Sequence, residues 1–252
     1  MHTLYMKTIL ITSPLLASSV LRIALSVMMS VMRHVILFLI LLSPASAADA
    51  LRCLHVNGEP TPGDWENAAK VMLDRGPRGE ASPLPPTEVR TLWSDTHLYV
   101  RFKCPFRSMY LRDKPDPATE TFGLWDYDVT EVFVGSDYQH IGRYKEFEVS
   151  PQNDWVDLEV DRERKGETTD WKWNSGFTHH VSIDKKAKVW VSEMAIPLKS
   201  IPVAKAMPGT KLRINFYRIE DKEPNRIYFA WRPTGERSFH VPAAFGELEL
   251  VK

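Results

Sequence analysis

The sequence predicts an all-β protein: an antiparallel β-sandwich of about ten strands in jelly-roll or immunoglobulin-like layers. Three observations carry that expectation. Short segments of alternating apolar and polar residues recur from Leu51 to the C-terminus, and alternate side chains of a strand point to opposite faces. Turn residues such as Asn57-Gly58, Ser94-Asp95-Thr96 and Asp184–Ala187 separate these segments. Helical periodicity is almost missing, so the layers must be built from strands.

In chain order, Leu51–Val56 reads as a strand, and Asp64–Lys70 as a short helical turn opening on an N-cap type residue. Residues 75–86, rich in Gly and Pro, read as loop. Thr87–Trp93 and His97–Lys103 read as a β-hairpin, and the Pro-containing, charged residues 105–124 as a long loop. Next comes Val129–Val134, apolar on both faces, with Val129, Glu131 and Phe133 on one side and Thr130, Val132 and Val134 on the other. Its expected partner, Tyr144–Val149, puts Tyr144, Glu146 and Glu148 on one face. Asp154–Val160 reads as a strand with Trp155, Asp157 and Glu159 on a wet face. Trp171–Ile183 and Lys188–Ile196 form a further pair, and Lys211–Arg218, Arg226–Trp231 and Gly246–Val251 close the chain.

Residues 1–48 differ in composition from the rest. Arg33, the apolar run Val35–Leu42 and the small-residue end Ser43–Ala47 make a secretory signal peptide. Its ordinary length from Met28, Met29 or Met32 points to a mis-assigned upstream start. The alternative is an N-terminal membrane anchor over residues 9–31, which Arg22 near its centre disfavours. The expectation is therefore export to the periplasm or the extracellular space, with no membrane association after processing and one domain over 49–252.

The formal net charge is zero and no basic run occurs, which argues against nucleic acid as a partner. In an exported chain the only two cysteines, Cys53 and Cys104, are most simply one disulfide. The chain has eight Trp, several in polar settings suited to stacking on a ligand. Trp125 lies six residues before Glu131. Together they read either as a ligand groove or as a core Trp and a carboxylate paired with a structural Arg, because an unpaired carboxylate is costly in apolar surroundings.

The chain contains no G-x-S-x-G, no H-E-x-x-H and no phosphate-cradling glycine loop, so no enzyme motif is present. A glycoside-acting hydrolase stays open only through its abundant acids. A haem-binding, DOMON-type electron-transfer domain would need axial ligands such as Met109 with His179 or His180, and C-x-x-C-H is missing.

An ordered set of motifs runs through the chain: Gly58…Trp65, Leu98-Tyr99-Val100, Trp125-Asp126 to Glu131-Val132-Phe133, and Tyr144…Phe147-Glu148-Val149. Trp190…Glu193–Pro197, Arg213–Arg218, Trp231–Thr234 and Phe239-His240…Phe245-Gly246 follow. This order resembles the family 9 carbohydrate-binding modules and family 9-like exported proteins over nearly all of 51–252. The resemblance implies a β-sandwich that binds carbohydrate without catalysis, with structural calcium in some members. It implies two Trp residues that sandwich a sugar ring, here Trp125 and Trp231, with Glu131 as a polar contact. The family carries an amide three residues before the second Trp, where this chain has Tyr228. Glu146 is favoured over Arg143 as a further contact, since the two alternate out of phase. Asp126 and Asp128 are weak calcium candidates against a reading as solvated loop carboxylates, and His240 is either a ligand contact or structural. The expected partners are mono-, oligo- or polysaccharides, in support of carbohydrate catabolism, with a separate glycosidase as an associated enzyme.

Overall fold

The computed structural model describes residues 50–202 and 205–252. The leader and anchor readings of residues 1–48 therefore lie outside the described residues. Residues 49–252 form one compact unit.

Thirteen strands occur among the described residues. They are β1 (Leu51–His55), β2 (Lys70–Leu73), β3 (Thr87–Trp93), β4 (His97–Pro105), β5 (Val129–Gly135), β6 (Arg143–Val149) and β7 (Trp155–Asp161). β8 (Thr169–Asp170), β9 (Thr178–Asp184), β10 (Val189–Pro197), β11 (Lys211–Glu220), β12 (Ile227–Ala230) and β13 (Gly246–Val251) follow. One helix, α1, spans Pro62–Asn67. The strands join in the order β8-β7-β6-β5-β11-β13-β1-β3-β4-β10-β9, with β12 on β11 and β2 on β3. This continuous sheet curls over to make the two layers of a sandwich. All pairings are antiparallel except those of β1, which lies parallel to both β13 and β3. Alternation within a strand carries no information about its direction, so these two parallel pairings are invisible in the pattern.

The main core fills the space between the layers. Val132 and Val134 of β5, Phe147 and Val149 of β6, and Ile214 and Phe216 of β11 meet Phe102 of β4 and Trp190 and Met194 of β10. Phe102 packs edge-on against Phe216 at 6.0 Å. Two polar contacts cross the same core. Thr130 Oγ1 donates to Ser192 Oγ at 3.1 Å, and Arg218 of β11 donates to Thr87 Oγ1 and the Pro105 carbonyl while pairing with Glu220. Buried charge is tolerated only when paired and hydrogen-bonded, and Arg218 meets both conditions.

The outer faces are covered differently. Over β1, β3 and β4 the cover is α1, whose Trp65 packs with Leu92 and Tyr99. Its cap is Thr61 rather than Asp64. Thr61 Oγ1 accepts from Asp64 N, and Asp64 Oδ2 accepts from Thr61 N, which makes Asp64 the second half of a capping box. Over β5, β6, β7 and β11 a second cluster forms from Val129, Phe133, Tyr144, Leu158 and Tyr217, covered by loops. Every residue of β5 is buried.

Three further expectations need correction. β9 starts at Thr178 and not near Trp171, because Asn174–Gly176 turns away with Gly176 at φ 73°. The face of β7 expected to be wet is closed at Asp157, which accepts from Ser175 N at 2.8 Å and from the Ser175 hydroxyl. Cys53 and Cys104 are free thiols. Cys53 lies on β1 beside Thr91, and Cys104 lies on β4 beside Thr87, so β3 stands between them with four residues of offset. Two strand spacings plus that offset exceed the reach of a disulfide, whose Cα atoms sit within about 7 Å. Burial pushes both thiols up to about 12.

A disulfide closing a roughly 50-residue loop would contribute about 4 kcal/mol, or a shift on the order of 10 °C in Tm. The expected result is an unchanged Tm on adding excess reductant, with both thiols reacting with a thiol reagent only after unfolding. A reductant-induced fall in Tm would restore the bridge.

Candidate functional site

The loop-covered face of β5, β6 and β11 opens into a cleft of about 640 Å³, within the range of small-molecule sites. Its upper wall begins at a 3₁₀ turn, Leu124–Asp126. Gly123 enters that turn at φ 81°, a left-handed conformation that glycine adopts without steric cost. Leu124 is fully buried and anchors the turn, which leaves Trp125 half-buried at the cleft. Phe122, 59% exposed, meets Trp125 edge-on at 5.0 Å and lies 5.3 Å from Trp171, itself 37% exposed. Large apolar side chains left this open mark a contact surface more than a core.

The opposite wall comes from β12 and the loop after it. Tyr228 stands edge-on to Phe239 at 5.9 Å, and Phe239 stacks on Tyr217 at 4.0 Å. Arg226 ties the walls together. It donates to the Trp125 carbonyl and, at 2.9 Å, to the Asp126 carbonyl, while its guanidinium lies 5.4 Å from the Tyr228 ring.

Strand parity decides which aromatics reach the cleft. On β12, Tyr228 and Ala230 join the outer cluster, whereas Ile227, Phe229 and the following Trp231 turn to the main core. Trp231 packs 5.4 Å from Phe216, directly over Gly246, where a Cβ would come within 2.6 Å of the indole. The expected pair of Trp125 and Trp231 is therefore not brought together. Tyr228 lines the cleft with Trp125.

Glu131 and Glu146 form the floor. Glu148 is the register partner of Glu131 and lies beneath them, wholly buried. One carboxylate oxygen from each of these three residues lies within 4.8 Å of the other two. Among the described residues this is the one group of three acid, His or Cys side chains close enough to share an ion. Burial raises all three carboxyls. Glu146 reaches about 7, and Glu131 and Glu148 stand well above the usual carboxylate range, where the neighbouring acids raise them further. The Arg226 charge opposes the shift at Glu131. His240 also lines the cleft, with Nδ1 2.7 Å from Tyr144 Oη and 3.9 Å from Glu146 Oε2. Burial lowers it to about 4, assisted by the charge of Arg162.

The two calcium candidates separate. Asp126 lines the cleft, but Asp128 is buried with Oδ1 accepting from Asp221 N at 2.6 Å, and neither belongs to the carboxylate group. Of the residues the sequence reading passed over, Phe122, Trp171 and Arg226 carry no local signal. Glu148 had one, since it shares a strand face with Glu146.

Residues 57–252 match the family described as carbohydrate family 9 binding domain-like. An extracellular protein of Arthroderma benhamiae is 27% identical over 184 residues, covering 68% of this chain and 82% of that protein. Among solved structures, a candidate carbohydrate-binding protein from Bacteroides uniformis superimposes with a TM-score of 0.64 at 18% identity, over 80% of this chain and 99% of that one. A family 9 carbohydrate binding module from Caldicellulosiruptor kristjanssonii, in complex with glucose, gives a TM-score of 0.52 at 17% identity, over 79% and 95% of the two chains. The cellotriose complex of such a module from the same organism gives 0.52 and 17%, over 79% and 93%. These superpositions establish the shared fold.

Burial raises Asp128 to about 7 from an ordinary 3.8. Between those values the folded chain holds more of this proton than the unfolded chain does, so stability falls as pH rises through the window and stays lower above it. Asp128→Asn keeps an acceptor for Asp221 N and removes the titration. Unfolding free energies from urea titrations at pH 5 and pH 8 are expected to show a smaller decline in the variant, by about 2–3 kcal/mol. Parallel profiles for the two proteins would refute the assignment.

Proposed function

The chain belongs to the carbohydrate family 9 binding domain-like family, and from that premise we propose that it binds carbohydrate without catalysis in the cleft between Trp125 and Tyr228. The observation that carries the reading is the half-exposed Trp125 set against Tyr228 above a floor of Glu131 and Glu146. A pyranose has flat C–H faces and hydroxyl edges. The indole and phenol faces suit the former. The buried carboxyls suit the latter, because hydrogen bonds to acids in a low-dielectric floor are stronger than in water.

Glucose and cellotriose, found with the similar modules, make β-linked glucose oligomers the first ligands to test. Export is part of the proposal. It is supported by the leader pattern of residues 33–48 and by the extracellular description of the Arthroderma benhamiae relative. An exported binder of this kind would hold or capture sugar for a separate glycosidase in carbohydrate catabolism.

Calorimetric titration with mono- and oligosaccharides is expected to give saturable heat with one sugar class. Trp125→Ala and Tyr228→Ala should each weaken binding tenfold or more, a loss of at least about 1.4 kcal/mol, with far-UV circular dichroism unchanged. Silence across the panel from the folded protein would sink the reading, as would full affinity in Trp125→Ala.

A further inference from the structure

Three acids in one buried pocket need protons or a counter-charge. Glu148 is wholly buried, and its carboxylate oxygens meet no donor except the carboxyl of Glu146, should that carry a proton; Glu146 Oε2 has no other partner either. Leaving such atoms unsatisfied in a buried site is costly. No Lys or Arg among the described residues pairs with any of the three acids, and their single salt-bridge contact is His240 at 3.9 Å. Arg226, the cation facing Glu131, directs its two terminal nitrogens to backbone carbonyls.

We propose that Glu131, Glu146 and Glu148 bind one hard divalent cation, of the calcium or manganese class, at the floor of the cleft. Spacing supports this. Oxygens around a calcium ion lie at about 2.3–2.6 Å from it, so two ligands on opposite sides are separated by about 5 Å at most. The three carboxylate oxygens here fall within 4.8 Å of one another. Donor type supports it too, since an all-carboxylate set selects hard cations over zinc or copper. The buried oxygens of Glu148 supply the independent mark of a missing ligand, because they are aimed into this group and meet no donor outside the acids themselves.

Orientation then gives the cation a role. Glu131 and Glu146 line the cleft while Glu148 closes the site from beneath, so the open coordination positions face the sugar wall. A pair of vicinal hydroxyls would complete the shell. This last step rests on the carbohydrate reading, whereas the cation site itself does not.

The test separates the two. Purified protein treated with a chelator and dialysed is titrated with calcium, magnesium or manganese chloride in the absence of sugar. One saturable site per chain and a raised Tm are expected, with affinity reduced at least tenfold in Glu148→Gln. If Glu148→Gln does not fold, Glu146→Gln serves for the same comparison. Cellotriose affinity is then measured with the cation and in chelator, with a tenfold or greater loss expected in chelator. Absence of saturable heat with all three salts would overturn the cation site, leaving a triad that only shares protons. Binding that is indifferent to the Glu148 change would overturn it as well, because the ion would then sit elsewhere. A bound cation without any sugar binding would uphold the site and defeat the carbohydrate reading alone.

Discussion

A strand with no solvent on either face cannot leave its polar side chains to bulk water. β5 is such a strand, and β6 is buried from Tyr144 onward. One face of each is filled by the sandwich core, through Val132, Val134, Phe147 and Val149. The other face must then carry whatever chemistry the protein has, under a cover of loops. Placing Glu131, Glu146 and Glu148 there takes three carboxyls out of water, a cost of several kcal/mol apiece in general unless protons, partners or ions take up the charge. The apolar contacts of the opposite face, with Phe216, Phe102 and Trp190 packed across the layers, are what make that cost bearable. Both strands are thus held in place by one side and carry the polar groups of the cleft on the other.

The rim has a different construction. Trp125 rides on a single 3₁₀ turn, and Phe122 and Trp171 come from irregular segments. What gives this wall definition is Arg226, which holds the turn by its carbonyls and faces the Tyr228 ring on the strand of the opposite wall. A guanidinium offers several donors in a fixed plane and an apolar face, and here one residue uses both features. The spacing between the two aromatic walls therefore depends on a side chain that the ligand need not touch.

Strand periodicity made much of this legible. The faces of β5 and β6 follow directly from alternation, and the loop before β5 could be placed from its Pro and charge content. The same rule also separates Tyr228 from Trp231, which lie an odd number of residues apart on one extended segment. A motif resemblance that pairs Trp125 with Trp231 conflicts with that parity, and the parity prevails because Phe229 and Trp231 have a core to fill. Other features had no local signal. The position of β1, parallel between β13 and β3, depends on the chain's return from its far end. That insertion, with β3 between β1 and β4, keeps Cys53 from Cys104, so cysteine count and compartment suggested a bond that the topology forbids. Arg226 acts through contacts about 100 residues away in sequence, which no window along the chain can contain.

The division between strand-built floor and loop-built rim has a consequence for recognition. Groups fixed by two-sided packing lose little freedom when a ligand arrives, so on the proposed reading the floor would meet a sugar already arranged, and its directional hydrogen bonds would discriminate between hydroxyl configurations. Aromatic faces stack on any pyranose with an apolar face and discriminate weakly. On the proposed reading, affinity belongs chiefly to Trp125 and Tyr228, and selectivity to Glu131 and Glu146. On that reading, a chain of this fold would exchange rim residues and keep its preference among sugars. It cannot exchange an acid of the floor without leaving the remaining two to face each other with their balance of protons and charge changed.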